Sequence, residues 1–249
     1  MLSTHLPRSA VKRVLELGGL SIRRLPPIDP KKSLLVDSGA YTVLDIGANE
    51  GQYARSIRRA GFSGPILSVE PQSAAFAKLE QRISKDDLWT AYRCALGASD
   101  GEITLNIAGN SESSSVLPML DMHSANSPTS AYVSTETVRL RRLDDLLLES
   151  GSIGPFHLKL DVQGFELSVL DGAQRTFDAA VSLEVEMSLV PLYGGQPTFD
   201  GLLERLRSAG FDFYDIVPGF RAHNGRLLQI DGLFIRESGH GHGSLTHTR

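Results

Sequence analysis

The stretch T-V-L-D-I-G-A-N-E-G at residues 42–51 decides the fold. Its apolar start predicts a β-strand, and Gly47 and Gly51 predict a sharp turn along which a ligand can lie against bare backbone. Residues 52–57 then predict the first turns of a helix, whose free N–H groups attract a negative group. Because α/β sheets bind ligands outside the carboxyl ends of their strands, the turn predicts a ligand site.

The spacing of acids and glycines narrows the choice of ligand. Asp45 precedes the first glycine, so the loop reads D-x-G-x-N-x-G and departs from the G-x-G-x-x-G of dinucleotide-binding loops. Asp45 can accept hydrogen bonds from an ammonium group or offset a positive charge through water. Glu70 ends the next predicted strand, residues 65–70, where an acid can accept hydrogen bonds from both hydroxyls of a ribose. S-adenosylmethionine, a cationic nucleoside with a carboxylate, is therefore the predicted cofactor. A strand-to-helix turn with a capping aspartate is the alternative.

Composition limits the class of protein. A chain of 249 residues with 41% hydrophobic residues fits one α/β domain with extensions. The net charge of −4 argues against a nucleic-acid partner, and Cys94 as the single cysteine excludes an intrachain disulfide. No stretch has the apolar length of a membrane span, and charged residues interrupt the N-terminal apolar positions that a signal peptide would need. We expect a cytoplasmic protein.

The pattern along the chain divides it into three regions. Residues 1–32 read as a short helix at residues 9–17 and a proline-containing linker at residues 25–32. Residues 33–237 alternate strand and helix, which predicts a mostly parallel sheet with helices on both faces. Residues 238–249 hold three of the seven histidines and read as a flexible tail, although a metal site is the alternative.

One segment of the α/β region breaks its rhythm. Residues 108–137 are rich in Ser, Asn and Thr, and we interpret them as a substrate loop or lid, with a mobile surface insertion as the alternative. The last strand, predicted over residues 227–235, is expected to pair antiparallel at an edge of the sheet.

Two predicted strands alternate polar and apolar residues where a central parallel strand is normally apolar throughout. They read F-H-L-K-L-D at residues 156–161 and V-S-L-E-V-E-M at residues 181–187. If the strands are neighbours, Lys159 and Glu184 can pair, and Asp161 and Glu186 stand at the carboxyl ends beside the nucleotide. The alternative is a sheet with one solvated face.

A set of motifs resembles one family. D-I-G-A-N-E-G-Q-Y, S-V-E-P-Q, C-A-L-G-A-S-D-G, H-L-K-L-D-V-Q-G-F-E-L-S-V-L-D-G-A, P-L-Y-G-G-Q-P-T-F and Q-I-D-G-L-F-I-R are similar to the FkbM family of S-adenosylmethionine-dependent methyltransferases. The resemblance implies a class I methyltransferase (Rossmann-like) fold with a seven-stranded, mostly parallel sheet. It also implies O-methylation of a small molecule or a glycosylated natural product, with a sugar hydroxyl or a glycolipid as the acceptor.

The resemblance also implies roles for individual residues. Four would line the methionine end of the cofactor, namely Asp45, Gly47, Asn49 and Gly51. Glu70 would hold the ribose, and the segment with Ala95 and Leu96 would approach the adenine. Tyr193, in the P-L-Y-G-G-Q-P-T-F motif, would line the acceptor pocket.

Methyl transfer to a weakly nucleophilic sugar hydroxyl benefits from a general base. The candidates are Asp161, favoured by its position, Glu186, and His123, whose unperturbed pKa suits the task. Asp161 and Glu186 also suit a divalent metal, although we rank a metal-free site above it.

Three other functions stay open. They are a NAD-dependent oxidoreductase, a non-catalytic cofactor-binding module and a nucleic-acid methyltransferase. D-V-Q-G in place of N/D-P-P-Y/F argues against the last of these. The sequence leaves the acceptor and the oligomeric state open, with a homodimer as one alternative.

Overall fold

The computed structural model describes residues 29–236. Its strands are β1 (Thr42–Ile46), β2 (Ile66–Val69), β3 (Trp89–Tyr92), β4 (Ala95–Leu96), β5 (Gly101–Ala108), β6 (Tyr132–Arg141), β7 (Phe156–Leu160), β8 (Ala180–Ser188), β9 (Phe211–Pro218) and β10 (Gln229–Arg236). Its helices are α1 (Pro30–Ser38), α2 (Gln52–Arg59), α3 (Ser73–Ile83), α4 (Asp121–Asn126), α5 (Leu143–Ser150), α6 (Glu166–Asp171), α7 (Gln174–Asp178) and α8 (Phe199–Ser208).

Seven strands form one sheet in the order β3-β2-β1-β7-β8-β10-β9. The first five strands of that order pair in parallel, and β10 is antiparallel to both of its neighbours. The expected α/β class I methyltransferase fold, with a seven-stranded and mostly parallel sheet, is confirmed. The expected edge position of the last strand is wrong, because β10 lies between β8 and β9. The side chains of Ile230, Leu233 and Phe234 are buried, which suits a strand that lies inside the sheet, and β9 forms the edge.

Helices cover both faces of the sheet, as the alternating pattern predicted. On β1, Val43 faces a core that includes Ile57 of α2 and Leu79 of α3. Its neighbour Leu44 faces the opposite core, to which Leu146 of α5 belongs. The side chains of a strand point alternately to its two faces, so this one apolar strand joins both cores.

A second sheet, in the order β4-β6-β5, carries the segment that was expected to be a loop or lid. Within residues 108–137, the chain forms α4, a 3₁₀ turn at Pro128–Ser130 and the start of β6. Residues 134–137 were part of the expected loop, but they belong to β6 and pair antiparallel with residues 104–107 of β5. The irregular part, residues 109–131, is called the lid segment below.

Helix α1 corrects the expected linker at residues 25–32, because it already begins at Pro30. Proline is tolerated at the first helical position, where its missing N–H would have no partner. The Asp29 side chain accepts hydrogen bonds from the N–H groups of Lys31 and Lys32 and caps the helix. The helix expected at residues 9–17 and the tail expected at residues 238–249 lie outside the described residues.

No helix between residues 29 and 236 has both the length and the apolar character needed to cross a membrane.

Candidate active site

A cavity of about 710 Å³ opens at the carboxyl ends of the central strands. Gly47 follows β1, Glu70 follows β2 and Asp161 follows β7, while Glu186 stands near the end of β8, and all four line the cavity. Open α/β sheets bind ligands at this place, and the volume falls within the range of small-molecule sites. The cavity is therefore the candidate active site.

The structure brings eight of the eleven predicted site residues to this cavity. The eight are Gly47, Asn49, Glu70, Ala95, Leu96, His123, Asp161 and Glu186. Asp45, Gly51 and Tyr193 do not line it. A direct contact of Asp45 or Gly51 with a ligand in the cavity is therefore not part of this geometry, and Tyr193 does not form the expected wall of this pocket.

Asp45 lies beneath the glycine turn and is completely buried. It lies within β1, and the cavity lining on this strand begins one residue later, at Ile46. Its Oδ2 accepts a hydrogen bond of 3.2 Å from Ser68 Oγ, and its Oδ1 lies 3.7 Å from Lys159 Nζ. Burial raises the pKa of Asp45, and Lys159 opposes that rise. Asp45 therefore supports the turn through buried charge and hydrogen bonding.

The two glycines of the turn are needed for close packing. At Gly47 (φ 76°), an added Cβ would lie 1.8 Å from the backbone oxygen of Asp161. At Gly51 (φ 81°), it would lie 2.8 Å from both Leu79 and the ring of Trp89. The first glycine lets the turn touch the end of β7, and the second lets α2 begin against the neighbouring helix and strand.

The carboxylate of Glu70 lines the cavity and accepts hydrogen bonds from two backbone amides. Its Oε2 accepts from Asn49 N at 2.7 Å, and its Oε1 accepts from Gln72 N at 2.8 Å. Burial raises the pKa of Glu70 to about 7, although these amides oppose the rise. Each carboxylate oxygen has a second lone pair, so Glu70 can still accept hydrogen bonds from ligand hydroxyls.

The same part of the cavity has an apolar wall and a helix start. Ala95 and Leu96 share this wall with Cys94 and Phe165. Burial raises the pKa of the Cys94 thiol to about 11, which keeps it neutral. Among residues 29–236, no side chain caps the start of helix α2, so its first N–H groups can bind an anion.

Lys159 links the glycine turn to Asp161. Its Nζ lies 3.2 Å from Asp161 Oδ2 and donates a hydrogen bond of 3.0 Å to the backbone oxygen of Gly47. Burial disfavours the charged ammonium, but the carboxylates of Asp161 and Asp45 raise the pKa of Lys159 above its usual value. Lys159 is therefore a buried cation held by these carboxylates.

The expected ion pair between Lys159 and Glu184 is wrong, although the two residues are register partners on adjacent strands. Lys159 turns toward Asp161, and the carboxylate of Glu184 instead pairs with Lys31 from α1. Lys31 Nζ also donates to Asp231 Oδ2 at 2.8 Å. Sequence reasoning missed Lys31 because residues 25–32 read as a linker.

A neutral hydrogen-bond chain lies beside this ion pair. The hydroxyl of Tyr53 lies 2.9 Å from His157 Nε2, and His157 Nδ1 lies 2.8 Å from Ser182 Oγ. Burial lowers the pKa of His157 to about 3, with a smaller contribution from the charge of Lys31. His157 is therefore neutral. The alternation of polar residues on β7 and β8 was the signal for this buried layer.

The three predicted bases differ in their surroundings. Glu186 Oε2 accepts from Gln229 Nε2 at 3.0 Å, and burial together with the nearby charge of Asp161 raises the pKa of Glu186 well above its usual value. His123 is buried, and its Nδ1 lies 2.8 Å from Ser130 Oγ. Burial lowers the pKa of His123. Of the three candidate bases, Asp161 is the one that contacts the buried cation Lys159.

Between residues 29 and 236, no three or more His, Cys, Asp or Glu side chains are grouped so that they could hold a metal ion.

Comparison with known proteins connects this geometry to a family. The sequence profile of the Methyltransferase FkbM domain matches residues 45–213. The chain is 25% identical over 180 residues to 2-O-methyltransferase NoeI of Sinorhizobium fredii, covering 70% of this chain and 74% of that protein. It is 27% identical over 193 residues to Methyltransferase sdnD of Sordaria araneosa, covering 68% of this chain and 73% of that protein.

Among solved structures, the chain is similar to the methyltransferase FkbM from Methylobacillus flagellatus, with a TM-score of 0.47 and 14% identity. The matched part covers 78% of this chain but 43% of that one, so this chain spans less than half the length of that protein.

Proposed function

Because the chain belongs to the FkbM methyltransferase family, we propose that it transfers a methyl group from S-adenosylmethionine to a hydroxyl of a small-molecule acceptor, in particular a sugar. The observation that carries this proposal is the single cavity shared by the glycine turn, Glu70 and Asp161. It brings groups suited to a nucleoside cofactor and a carboxylate suited to proton transfer into one site.

The residues of the cavity fit S-adenosylmethionine. Glu70 would accept hydrogen bonds from the ribose hydroxyls, and the wall with Ala95 and Leu96 would hold the adenine. The uncapped start of α2 would bind the carboxylate at the methionine end. Asp45 and Gly51 act indirectly, by holding the glycine turn in shape. When it is bound, the cofactor supplies a methyl group that its positively charged sulfur makes electrophilic.

The chain's own residues then align the acceptor and remove its proton. Alignment alone contributes up to roughly 7–11 kcal/mol to lowering the barrier. Asp161 would take the proton of the acceptor hydroxyl as that oxygen accepts the methyl group that the cofactor would supply. A general base of this kind accelerates the step by about 10²–10⁴-fold. Asp161 is favoured over His123, whose ring nitrogens contact Ser130 and Tyr193.

The far wall of the cavity supports a hydroxyl-rich acceptor. It carries the carboxylates of Glu184, Glu186 and Asp231, together with Lys31 and the aromatic ring of Phe220. Carboxylates accept hydrogen bonds from hydroxyl groups, and a sugar offers several hydroxyls at once. The relative named 2-O-methyltransferase NoeI supports oxygen as the methylated atom.

Calorimetric titration tests the cofactor. We expect S-adenosylmethionine and S-adenosylhomocysteine to bind with or without magnesium, and NAD not to bind. Binding of NAD alone would contradict the proposal in favour of an oxidoreductase.

The acceptor is tested with a cofactor that carries an isotope-labelled methyl group and a panel of sugars, glycosides, glycolipids and amines. We expect label on an oxygen of a glycoside, detected by mass spectrometry. Transfer to nitrogen, or cofactor binding without transfer to any acceptor, would contradict O-methylation.

A further inference from the structure

Gln163 has an unusual backbone for its residue type. Its φ of 54° lies in the left-handed region, which glycine and asparagine adopt more readily than glutamine. Such a conformation costs on the order of 1–3 kcal/mol and persists only where the surroundings enforce it. Gln163 is buried, so contacts of its side chain can supply that enforcement.

The side-chain amide of Gln163 uses all of its hydrogen-bonding groups to join three side chains. Nε2 donates to Asp161 Oδ1 and to Glu186 Oε2, each at 2.7 Å, and Oε1 accepts from the hydroxyl of Tyr193 at 2.6 Å. In this arrangement the –NH₂ group supplies the two donors that face the acids, and the carbonyl supplies the acceptor that faces the hydroxyl. The amide is thereby fixed in one orientation.

Gln163 also contacts the lid segment, residues 109–131. Its backbone oxygen accepts a hydrogen bond of 2.7 Å from Ser115 Oγ. The hydroxyl of Tyr193 lies 3.3 Å from His123 Nε2, and His123 belongs to α4 within the lid segment. One residue therefore connects the ends of β7 and β8 to a segment that lines the cavity.

The bridge holds two acids close together. Both carboxyl groups accept from the same nitrogen, so their bridging oxygens lie within twice 2.7 Å of each other. Lys159 contacts Asp161 on its other oxygen, whereas the amides of Gln163 and Gln229 donate to Glu186. Without the amide of Gln163, the two carboxyl groups would lose the donor that they share.

We propose that Gln163 is a positioning residue, whose amide orients the Asp161 carboxylate toward the acceptor hydroxyl and ties it to the lid segment through Tyr193. This inference rests on the proposed function, in which Asp161 takes the proton. A role only in forming the turn before Gly164 is the competing explanation.

Two substitutions separate these explanations. Gln163→Gly removes the amide and relieves the left-handed backbone, and Gln163→Asn keeps an amide that is one methylene too short to bridge. If Gln163 only forms a turn, both variants fold at least as stably as the wild type and keep its kcat. If Gln163 is a positioning residue, kcat should fall roughly 10²-fold in both variants, because displacing the Asp161 carboxylate by about 1 Å costs that much. The Kd for S-adenosylhomocysteine should stay unchanged.

A readout independent of methyl transfer is ¹³C NMR of the side-chain carboxyl groups, assigned with Asp161→Asn and Glu186→Gln. Gln163→Gly removes a hydrogen bond to the charged form of Glu186, so the titration of the Glu186 carboxyl should move to higher pH. Tyr193→Phe should leave that titration unchanged and speed hydrogen exchange in the lid segment.

Unchanged carboxyl titration in Gln163→Gly would overturn the inference, and so would a shifted titration with unchanged kcat. If the wild type methylates no acceptor, the proposed function fails, while the titration and the lid exchange still decide whether Gln163 forms the bridge.

Discussion

The ammonium nitrogen of Lys159 lies 3.2 Å from a carboxylate oxygen of Asp161 and 3.0 Å from the backbone oxygen of Gly47. One buried side chain therefore contacts both the turn proposed to hold the cofactor and the acid proposed to remove the proton. The two halves of the site are fixed relative to each other by this cation and by the backbone contact at Gly47.

Asp161→Asn should reduce kcat by about 10²–10⁴-fold, because asparagine keeps the shape of the side chain but cannot take a proton. Binding of S-adenosylhomocysteine should be little changed, as the residue faces the acceptor side. Steady-state kinetics and calorimetry measure the two effects. An Asp161→Asn enzyme with the wild-type kcat would show that another group is the base.

Asp45→Asn should lower stability more than cofactor affinity, since Asp45 is buried and does not line the cavity. Its loss weakens a hydrogen bond from Ser68 and removes a charge beside Lys159. We expect a decrease of about 1–3 kcal/mol in the free energy of unfolding, measured with urea. Loss of cofactor binding at wild-type stability would instead indicate direct contact.

The strength of local signals explains which parts of the fold the sequence predicted. Strand β1 and the turn after it were predictable because an apolar run, an acid and a glycine turn are all local features. The place of β10 between β8 and β9 depends on pairing between distant segments, which no local pattern encodes.

The candidate site follows the same division. Asp161 and Glu186 were predictable because strand ends meet at one edge of a parallel sheet. The pairing of Lys159 with Asp161 was not predictable, since a long side chain can reach along the strand as well as across to the next one. Lys31 was missed because the proline before it read as a helix stop, whereas it begins the helix.

Glu166→Gln should make stability less dependent on pH. Burial raises the pKa of Glu166 to about 7, and the charge of Asp161 adds to this effect. A carboxyl with a raised pKa in the folded state stabilises the protein fully below its unfolded value near 4.5 and loses that contribution as the pH rises through about 7.

Between pH 4.5 and 7 the wild type should therefore lose stability from Glu166, and for the same reason from Glu70. Glutamine carries no charge at any pH. At pH 8 the free energy of unfolding of Glu166→Gln should therefore exceed that of the wild type by about 3 kcal/mol. Urea unfolding at several pH values measures this, with the exposed Glu80→Gln as the control. Parallel curves for wild type and variant would contradict the prediction.

Lys31→Met should loosen α1 from the sheet. The substitution leaves Glu184, whose side chain is 4% exposed, next to Asp231 without the cation that joins them. Breaking a buried ion pair from one side costs roughly 3–5 kcal/mol, and the partial exposure of Lys31 argues for the lower end. The loss should shrink at lower pH, because burial already raises the pKa of Glu184 and a protonated carboxyl needs no cation.

The double variant Lys31→Met/Glu184→Gln separates lost charge compensation from lost packing. It should recover most of the stability, because it removes the buried charge that lacks a partner. Lys32→Met, at the exposed neighbouring position, is the matched control and should change stability by no more than about 0.5 kcal/mol. If the double variant were as unstable as Lys31→Met, the apolar stem of Lys31 would be what holds α1 against the sheet.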